Sequence, residues 1–130
     1  MELYSIDHTV EISTPLFSTE DEKKVLQCLS RVFPDVRWDV SDDEIYGETD
    51  DLERFKEILR DMKIRDAALS YLSRKIEGDT CEFKISKQAA CNAKINFSEE
   101  KQPLGPIHVR IHSEDIETLI DRLTSKEVER

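Results

Sequence analysis

Apolar and polar residues alternate in several stretches of the chain, and this alternation predicts β-strands that bury one side. The five main stretches cover residues 4–12, 36–40, 81–85, 95–97 and 107–111. A turn-rich Ser-Asp-Asp follows the second stretch, and a short sixth strand over residues 44–46 completes a hairpin. The pattern therefore predicts six strands.

Apolar residues at helical spacing predict about four helices between these strands. Thr19 and Glu22 form a capping-box pattern at the start of a helix over residues 20–33. The pattern over residues 52–76 predicts either one long helix or two helices with a bend near Lys63. Both alternatives place an apolar helical face against the sheet.

The last part of the chain adds an alanine-rich stretch that predicts one helical turn before residue 95, and Ser113 is expected to cap a final helix. The resulting order favours an α+β fold, a mostly antiparallel sheet with helices packed on one face. The other face is expected to be open. We predict a single domain over residues 1–130, with residues 124–130 as a frayed tail.

The composition supports a folded domain, because 130 residues with 38% hydrophobic content can bury roughly two thirds of the unfolded surface. The net charge of −10 opposes non-specific adhesion to nucleic acid or to an anionic membrane. Charge is uneven along the chain: residues 39–53 hold eight acids and no base, whereas residues 83–97 hold three lysines and no acid. A nucleic-acid site must therefore be a local patch.

The three cysteines, Cys28, Cys81 and Cys91, lie far apart and include no CxxC pair. This spacing fits neither a secreted disulfide framework nor a structural zinc site, so we predict three free thiols in a reducing compartment. No cationic and apolar leader opens the sequence, and no apolar run approaches the roughly 18 residues that span a bilayer. We expect a cytoplasmic protein that does not associate with membranes.

The sequence offers little catalytic chemistry. Three glycines are too few for a P-loop or a dinucleotide fingerprint. Cys81 or Cys91 could pair with His108 across strands, but Cys81 falls on the predicted core side, where a thiol acts as a small hydrophobe. His108 and His112 would lie roughly 13 Å apart on one strand, too far to share a metal. We therefore expect no enzyme activity, no cofactor and no metal.

The polar residues of the predicted open face form the remaining candidate site. If the last three strands are neighbours, this face is rich in cations and hydrogen-bond donors. Glu82 is the one acidic residue expected among them. The candidate RNA-binding residues are Lys84, Lys94, Asn96, His108 and Arg110, which Lys87 would extend from an adjacent element, as would Arg74 and Lys75. Such a face suits a phosphate backbone, although these strands lack the exposed aromatic residues of RNA-recognition sheets.

Several motifs resemble the archaeal uncharacterised protein family 0201. They are Lys-Gln-Ala-Ala at residues 87–90, Ile-Asn-Phe at residues 95–97 and Leu-Gly-Pro-Ile at residues 104–107. The resemblance implies an RNA-binding type of α+β fold, like that of the large-subunit ribosomal protein that binds 5S ribosomal RNA, and a homodimer. Ala93 departs from the family pattern, which usually has glycine there, and so does Arg-Leu-Thr-Ser at residues 122–125.

The sequence thus favours a non-enzymatic RNA-binding or RNA-associated domain. The alternative is a homodimeric interaction module that uses the same sheet without binding nucleic acid. Salt dependence separates the two, because phosphate contacts release counterions whereas apolar contacts respond weakly to salt.

Overall fold

The structure, a computed structural model, describes residues 6–97 and 102–125. Its strands are β1 Thr9–Pro15, β2 Trp38–Val40, β3 Glu44–Thr49, β4 Ile76–Glu77, β5 Thr80–Ser86 and β6 Pro106–His112. Its helices are α1 Glu22–Val32, α2 Glu53–Asp61, α3 Arg65–Ser73, α4 Lys87–Ala90 and α5 Ile116–Leu123. The described residues contain no helix with the length and apolar character needed to cross a membrane.

The six strands form one antiparallel sheet in the order β2-β3-β1-β6-β5-β4. Strand alternation sends one set of side chains into the core, including Ile12, Phe83 and Val109, and the helices cover that face with residues such as Leu29 and Leu119. The opposite face of the sheet carries polar side chains. The predicted α+β class with helices on one face is confirmed.

A cluster of aromatic rings packs between the helices and the sheet. The Phe55 ring of α2 lies 6.0 Å from Phe33, 5.9 Å from Phe83 of β5 and 6.4 Å from Phe97. Phe97 also stacks on Tyr71 of α3, with 4.8 Å between the ring centroids. Burying a phenylalanine side chain contributes about 1.5–3 kcal/mol, so this cluster is a large part of the core.

The predicted strand over residues 95–97 does not form, and this expectation was wrong. Ala93 has φ 55°, a left-handed conformation that turns the chain after α4. The next backbone N–H groups bond outside the sheet: Lys94 donates to the Ala89 carbonyl, and Ile95 donates to the Met62 sulfur. The alternation at Ile95 and Phe97 reflects packing beneath the helices.

Two predicted helix caps are replaced by neighbouring residues. The N-cap of α1 is Asp21, whose carboxylate accepts a hydrogen bond from the Lys23 N–H at 3.0 Å, and not Thr19. The N-cap of α5 is Asp115, whereas Ser113 donates its hydroxyl to the Asp7 carbonyl and accepts the Asp115 N–H. Short polar side chains at adjacent positions compete for these roles.

Other boundaries also differ. The first strand starts later than predicted, at Thr9, and residue 4 lies outside the described residues. The stretch over residues 52–76 forms two helices, and Lys63, with φ 59°, turns the chain between them. The second helix ends at Ser73, and Ile76, which was predicted to be helical, begins strand β4. Thr124 is buried and bonds the Ile120 carbonyl, so the end of α5 is packed. A frayed tail stays a prediction for residues 126–130, which lie outside the described residues.

Cys28 of α1 and Cys91, which follows α4, form a disulfide across a sequence separation of 63 residues. The prediction of three free thiols was therefore wrong for this pair. It was correct for Cys81, which is free and fully buried on the core face of β5. The error arose because sequence spacing cannot show that two distant helices bring their cysteines together.

Candidate nucleic-acid interface

The open face of the sheet is divided by charge into two halves. Strands β2, β3 and β1 carry no Lys, Arg or His, and they project acids onto this face. The acidic half comprises Asp39, Glu44, Glu48 and Glu11. Strands β6 and β5 carry the basic side chains of the face, so the two halves meet between β1 and β6.

The basic half forms a groove of about 630 Å³, which we call the cationic groove. Its charged and polar lining residues are Arg74, Lys75, Glu77, Thr80, Glu82, Lys84, His108 and Arg110. Four Lys or Arg side chains therefore face two carboxylates. In a protein with a net charge of −10, this local excess of positive charge is unusual.

The strand pattern itself holds these side chains outward. Lys84 and Glu82 alternate with buried Phe83 on β5, while His108 and Arg110 alternate with buried residues on β6. The same alternation that builds the core therefore builds the groove. Register then pairs the polar residues directly, so that Lys84 lies opposite His108 and Glu82 lies opposite Arg110.

The edge of the sheet contributes the remaining cations of the groove. Arg74 and Lys75 follow α3 and precede β4, the edge strand beside β5. The Lys75 ammonium lies 5.3 Å from the centroid of the Tyr71 ring, which is a cation–π contact that helps to position it. The groove therefore continues from the sheet face around its edge.

A tyrosine joins two carboxylates in the acidic half. The Tyr46 hydroxyl lies 2.6 Å from a Glu48 carboxylate oxygen and 3.1 Å from a Glu11 carboxylate oxygen. Hydrogen bonding to Glu48 is the largest cause that raises the pKa of Tyr46, followed by burial and by Glu11. The phenol stays neutral, and the two carboxylates, which are cross-strand partners, keep this half of the face unfavourable for phosphate.

Lys87 is buried, so the prediction that it extends the open face from an adjacent element was wrong. Its side chain is only 5% exposed, and its ammonium donates to the carbonyls of Pro15 at 2.8 Å and Leu104 at 2.7 Å. Both carboxylate oxygens of Glu20 lie 3.1 Å away. Burial lowers the pKa of Lys87, and the Glu20 carboxylate opposes that shift. Lys87 joins three loops at one end of the sheet.

Lys94 and Asn96 also lie away from the predicted face. Both are exposed, but their segment packs beside α4 and α2, because β6 pairs with β1 and β5 and leaves no place for another strand. The Asn96 carbonyl accepts a hydrogen bond from the Ser86 N–H at the end of β5. Of the predicted residues, the groove therefore contains Lys84, His108 and Arg110.

The catalytic alternatives are not brought together by the fold. Cys81 faces the core whereas His108 faces the open side, and burial raises the pKa of the Cys81 thiol to about 12. Cys91 is in the disulfide. Within residues 6–97 and 102–125, no three His, Cys, Asp or Glu side chains are grouped as metal ligands.

A protein-family model described as RNA binding matches residues 9–113 of this chain. A UPF0200/UPF0201 protein of Archaeoglobus fulgidus is 36% identical over 108 residues, which are 82% of this chain and 33% of that protein. The chain thus spans about a third of that relative. A UPF0201 protein of Methanothermobacter thermautotrophicus is 37% identical over 117 residues, covering 88% of this chain and 89% of that protein.

Solved structures of UPF0201 proteins are also similar to this chain. The crystal structure of a UPF0201 protein from Methanococcus jannaschii has a TM-score of 0.83 and 30% identity, covering 90% of this chain and 99% of that chain. Another uncharacterised UPF0201 protein has a TM-score of 0.77 and 34% identity, over 83% of this chain and 84% of the other. The likeness to the 5S-RNA-binding ribosomal protein stays a prediction. The family resemblance is confirmed, and the chain belongs to the UPF0201 family.

Proposed function

We propose that this protein binds RNA at the cationic groove and carries out no chemical step there. The observation that carries the proposal is the grouping of Arg74, Lys75, Lys84 and Arg110 in one groove of a strongly acidic protein. The description of the matched family model as RNA binding supports the same function. Arg and Lys side chains are the usual partners of backbone phosphates.

The acidic half of the open face limits where the RNA can lie. A phosphate backbone that crossed from β6 onto β1 and β3 would approach Glu11, Glu44 and Glu48. The carboxylates would repel the phosphates, so the RNA is expected to follow β5 and β6 and to leave the sheet past its edge at Arg74. This path allows about two to four phosphate contacts and predicts weak binding, no tighter than about micromolar at physiological salt.

Salt dependence of binding tests this proposal. Fluorescence anisotropy with a labelled single-stranded RNA should give a slope of log affinity against log salt of roughly −1.4 to −2.8, because each of the two to four contacts contributes about −0.7. Lys84→Ala and Arg110→Ala should each flatten the slope by about 0.7. Lys94→Ala is the matched control, since Lys94 is an exposed lysine outside the groove. Absence of binding at about 50 mM salt, or an equal effect of Lys94→Ala, would refute the proposal.

We also propose a cytoplasmic location, where such RNA is available. The disulfide is compatible with this location, because intracellular proteins of hyperthermophilic archaea are often rich in disulfides, and the curated relatives named above come from archaea.

A homodimer is the second candidate, and the charge division of the open face favours it. A two-fold axis parallel to the strands would reverse the strand order in the facing copy. The acidic half of each protomer would then cover the basic half of its partner. Complementary charge of this kind fixes the orientation of a self-association surface.

Charge reversal separates this candidate from the first. Glu44→Lys with Glu48→Lys cancels the negative charge of the acidic half, and Lys84→Glu with Arg110→Glu makes both halves acidic, so each double variant alone should be monomeric. An equimolar mixture should recover a dimer, measured by sedimentation equilibrium at about twice 15.2 kDa. A wild-type protein that stays at the monomer mass at all concentrations would exclude the dimer and leave the groove free.

A further inference from the structure

Glu82 is one of the residues that line the cationic groove, where a carboxylate opposes phosphate binding. It lies directly opposite Arg110 across β5 and β6, with about 5 Å between the Cα atoms of such a pair. It also lies two residues from Lys84 on the same side of β5, which is about 6.6 Å along the strand. An acid beside two phosphate-binding cations weakens attraction to a polyanion unless the carboxylate gains a contact of its own.

The Glu82 carboxylate is exposed and available for such a contact. In the part of the chain that the structure describes, it makes no hydrogen bond, and no Lys or Arg nitrogen lies within 4.0 Å of it. The neighbouring Lys84 and Arg110 side chains are donors only. This part of the groove therefore presents one cationic donor across the strands, one along β5, and an unused carboxylate acceptor beside both.

The sugar–phosphate backbone matches this arrangement. Phosphates are acceptors, and in RNA the ribose between two phosphates carries a 2′-hydroxyl that can donate a hydrogen bond. Lys84 and Arg110 are diagonal neighbours on β5 and β6, and Glu82 and His108 complete this group of four side chains. If Lys84 and Arg110 bind successive phosphates, the ribose between them therefore lies beside Glu82 and His108, of which Glu82 is the carboxylate acceptor. The same position in DNA has no donor, so the carboxylate would meet only repulsion there.

We propose, on the basis of the RNA-binding function proposed above, that Glu82 accepts a hydrogen bond from a ribose 2′-hydroxyl. Glu82 thereby makes the groove select RNA over DNA. Lys84 and Arg110 attract the phosphates of RNA and DNA equally. Glu82 adds a contact that only RNA can make, so the groove prefers RNA. The residue acts in specificity and lowers the affinity for any polyanion that lacks the hydroxyl.

Three probes of one sequence test the role of Glu82: single-stranded RNA, its fully 2′-O-methylated form and DNA. The methylated strand keeps the phosphates and loses the donor. The wild-type protein should bind RNA about three- to tenfold more tightly than either other strand, as expected for one hydrogen bond at an exposed site. In Glu82→Ala the RNA preference should fall to about onefold, and the affinity for DNA should rise because a repulsive charge is removed.

Glu77→Ala is the matched control, because Glu77 is the other carboxylate of the groove and lies at its edge on β4. It should raise the affinity for all three strands by a similar factor and leave the RNA preference intact. If Glu82→Ala behaves in the same way, Glu82 is only a repulsive charge and this inference is overturned. Equal wild-type affinity for the three strands would also overturn it while leaving RNA binding established. Absence of any binding would overturn both proposals.

Discussion

Replacing Lys87 should destabilise the fold far more than replacing a surface lysine. Its ammonium is enclosed by the Glu20 carboxylate and by the carbonyls of Pro15 and Leu104, and the side chains of the ion pair are 5% and 6% exposed. Lys87→Met keeps the apolar stem but leaves the Glu20 carboxylate buried without a counter-charge. Breaking a buried ion pair from one side costs about 3–5 kcal/mol in the free energy of unfolding.

Urea unfolding followed by circular dichroism measures this loss. The double variant Lys87→Met with Glu20→Gln should recover at least about 2 kcal/mol, because the uncompensated charge is gone. Lys24→Met is the control, since Lys24 is exposed on α1, and it should change stability by less than about 0.5 kcal/mol. A loss below about 1 kcal/mol for Lys87→Met, or no recovery in the double variant, would refute the argument. Folded Lys87→Met should also bind RNA with the wild-type salt slope.

Three further predictions follow from the core. Reducing the Cys28–Cys91 disulfide should lower the free energy of unfolding by about 4 kcal/mol, because it closes a loop with a separation of 63 residues; a urea midpoint that does not respond to reductant would contradict this. Burial raises the pKa of Cys81 from 9.0 to about 12. The stability that the protonated thiol contributes is therefore fully present below pH 9.0, and the free energy of unfolding falls by about 1.4 kcal/mol per pH unit as the pH rises toward 12. Cys81→Ala should show a shallower alkaline loss of stability than wild type. Gly47→Ala would place a Cβ 2.5 Å from the Trp38 ring and should cost about 1–3 kcal/mol with a shift in tryptophan fluorescence, whereas an unchanged spectrum and stability would count against it.

Local patterns predicted the elements of this fold well because they depend on neighbouring residues. Alternation around Phe83 and Val109 correctly placed both strands and the side of the sheet on which Lys84, His108 and Arg110 lie. Placing these residues required no knowledge of the tertiary structure, since a buried side chain at one position of a strand directs the next side chain to the opposite face of the sheet.

The remaining errors concern positions that depend on which elements become neighbours. Alternation gives no strand order, so the sequence could not show that β1 lies beside β6 and brings Glu11 opposite Arg110. It also gave no reason to expect Lys87 to be buried, because its partner Glu20 lies 67 residues away. Charged side chains are almost never fully buried unless they are paired, and the pairing itself is a tertiary property.

The sheet has short strands at both of its edges. β2 has three residues and β4 has two, so each edge strand offers few free backbone groups to another chain. A peptide that sought to extend the sheet by adding a strand would gain only a few main-chain hydrogen bonds, and growth into fibril-like assemblies is disfavoured for the same reason. A partner that binds the open face must therefore match its charge pattern, because the two edge strands offer it few main-chain hydrogen bonds.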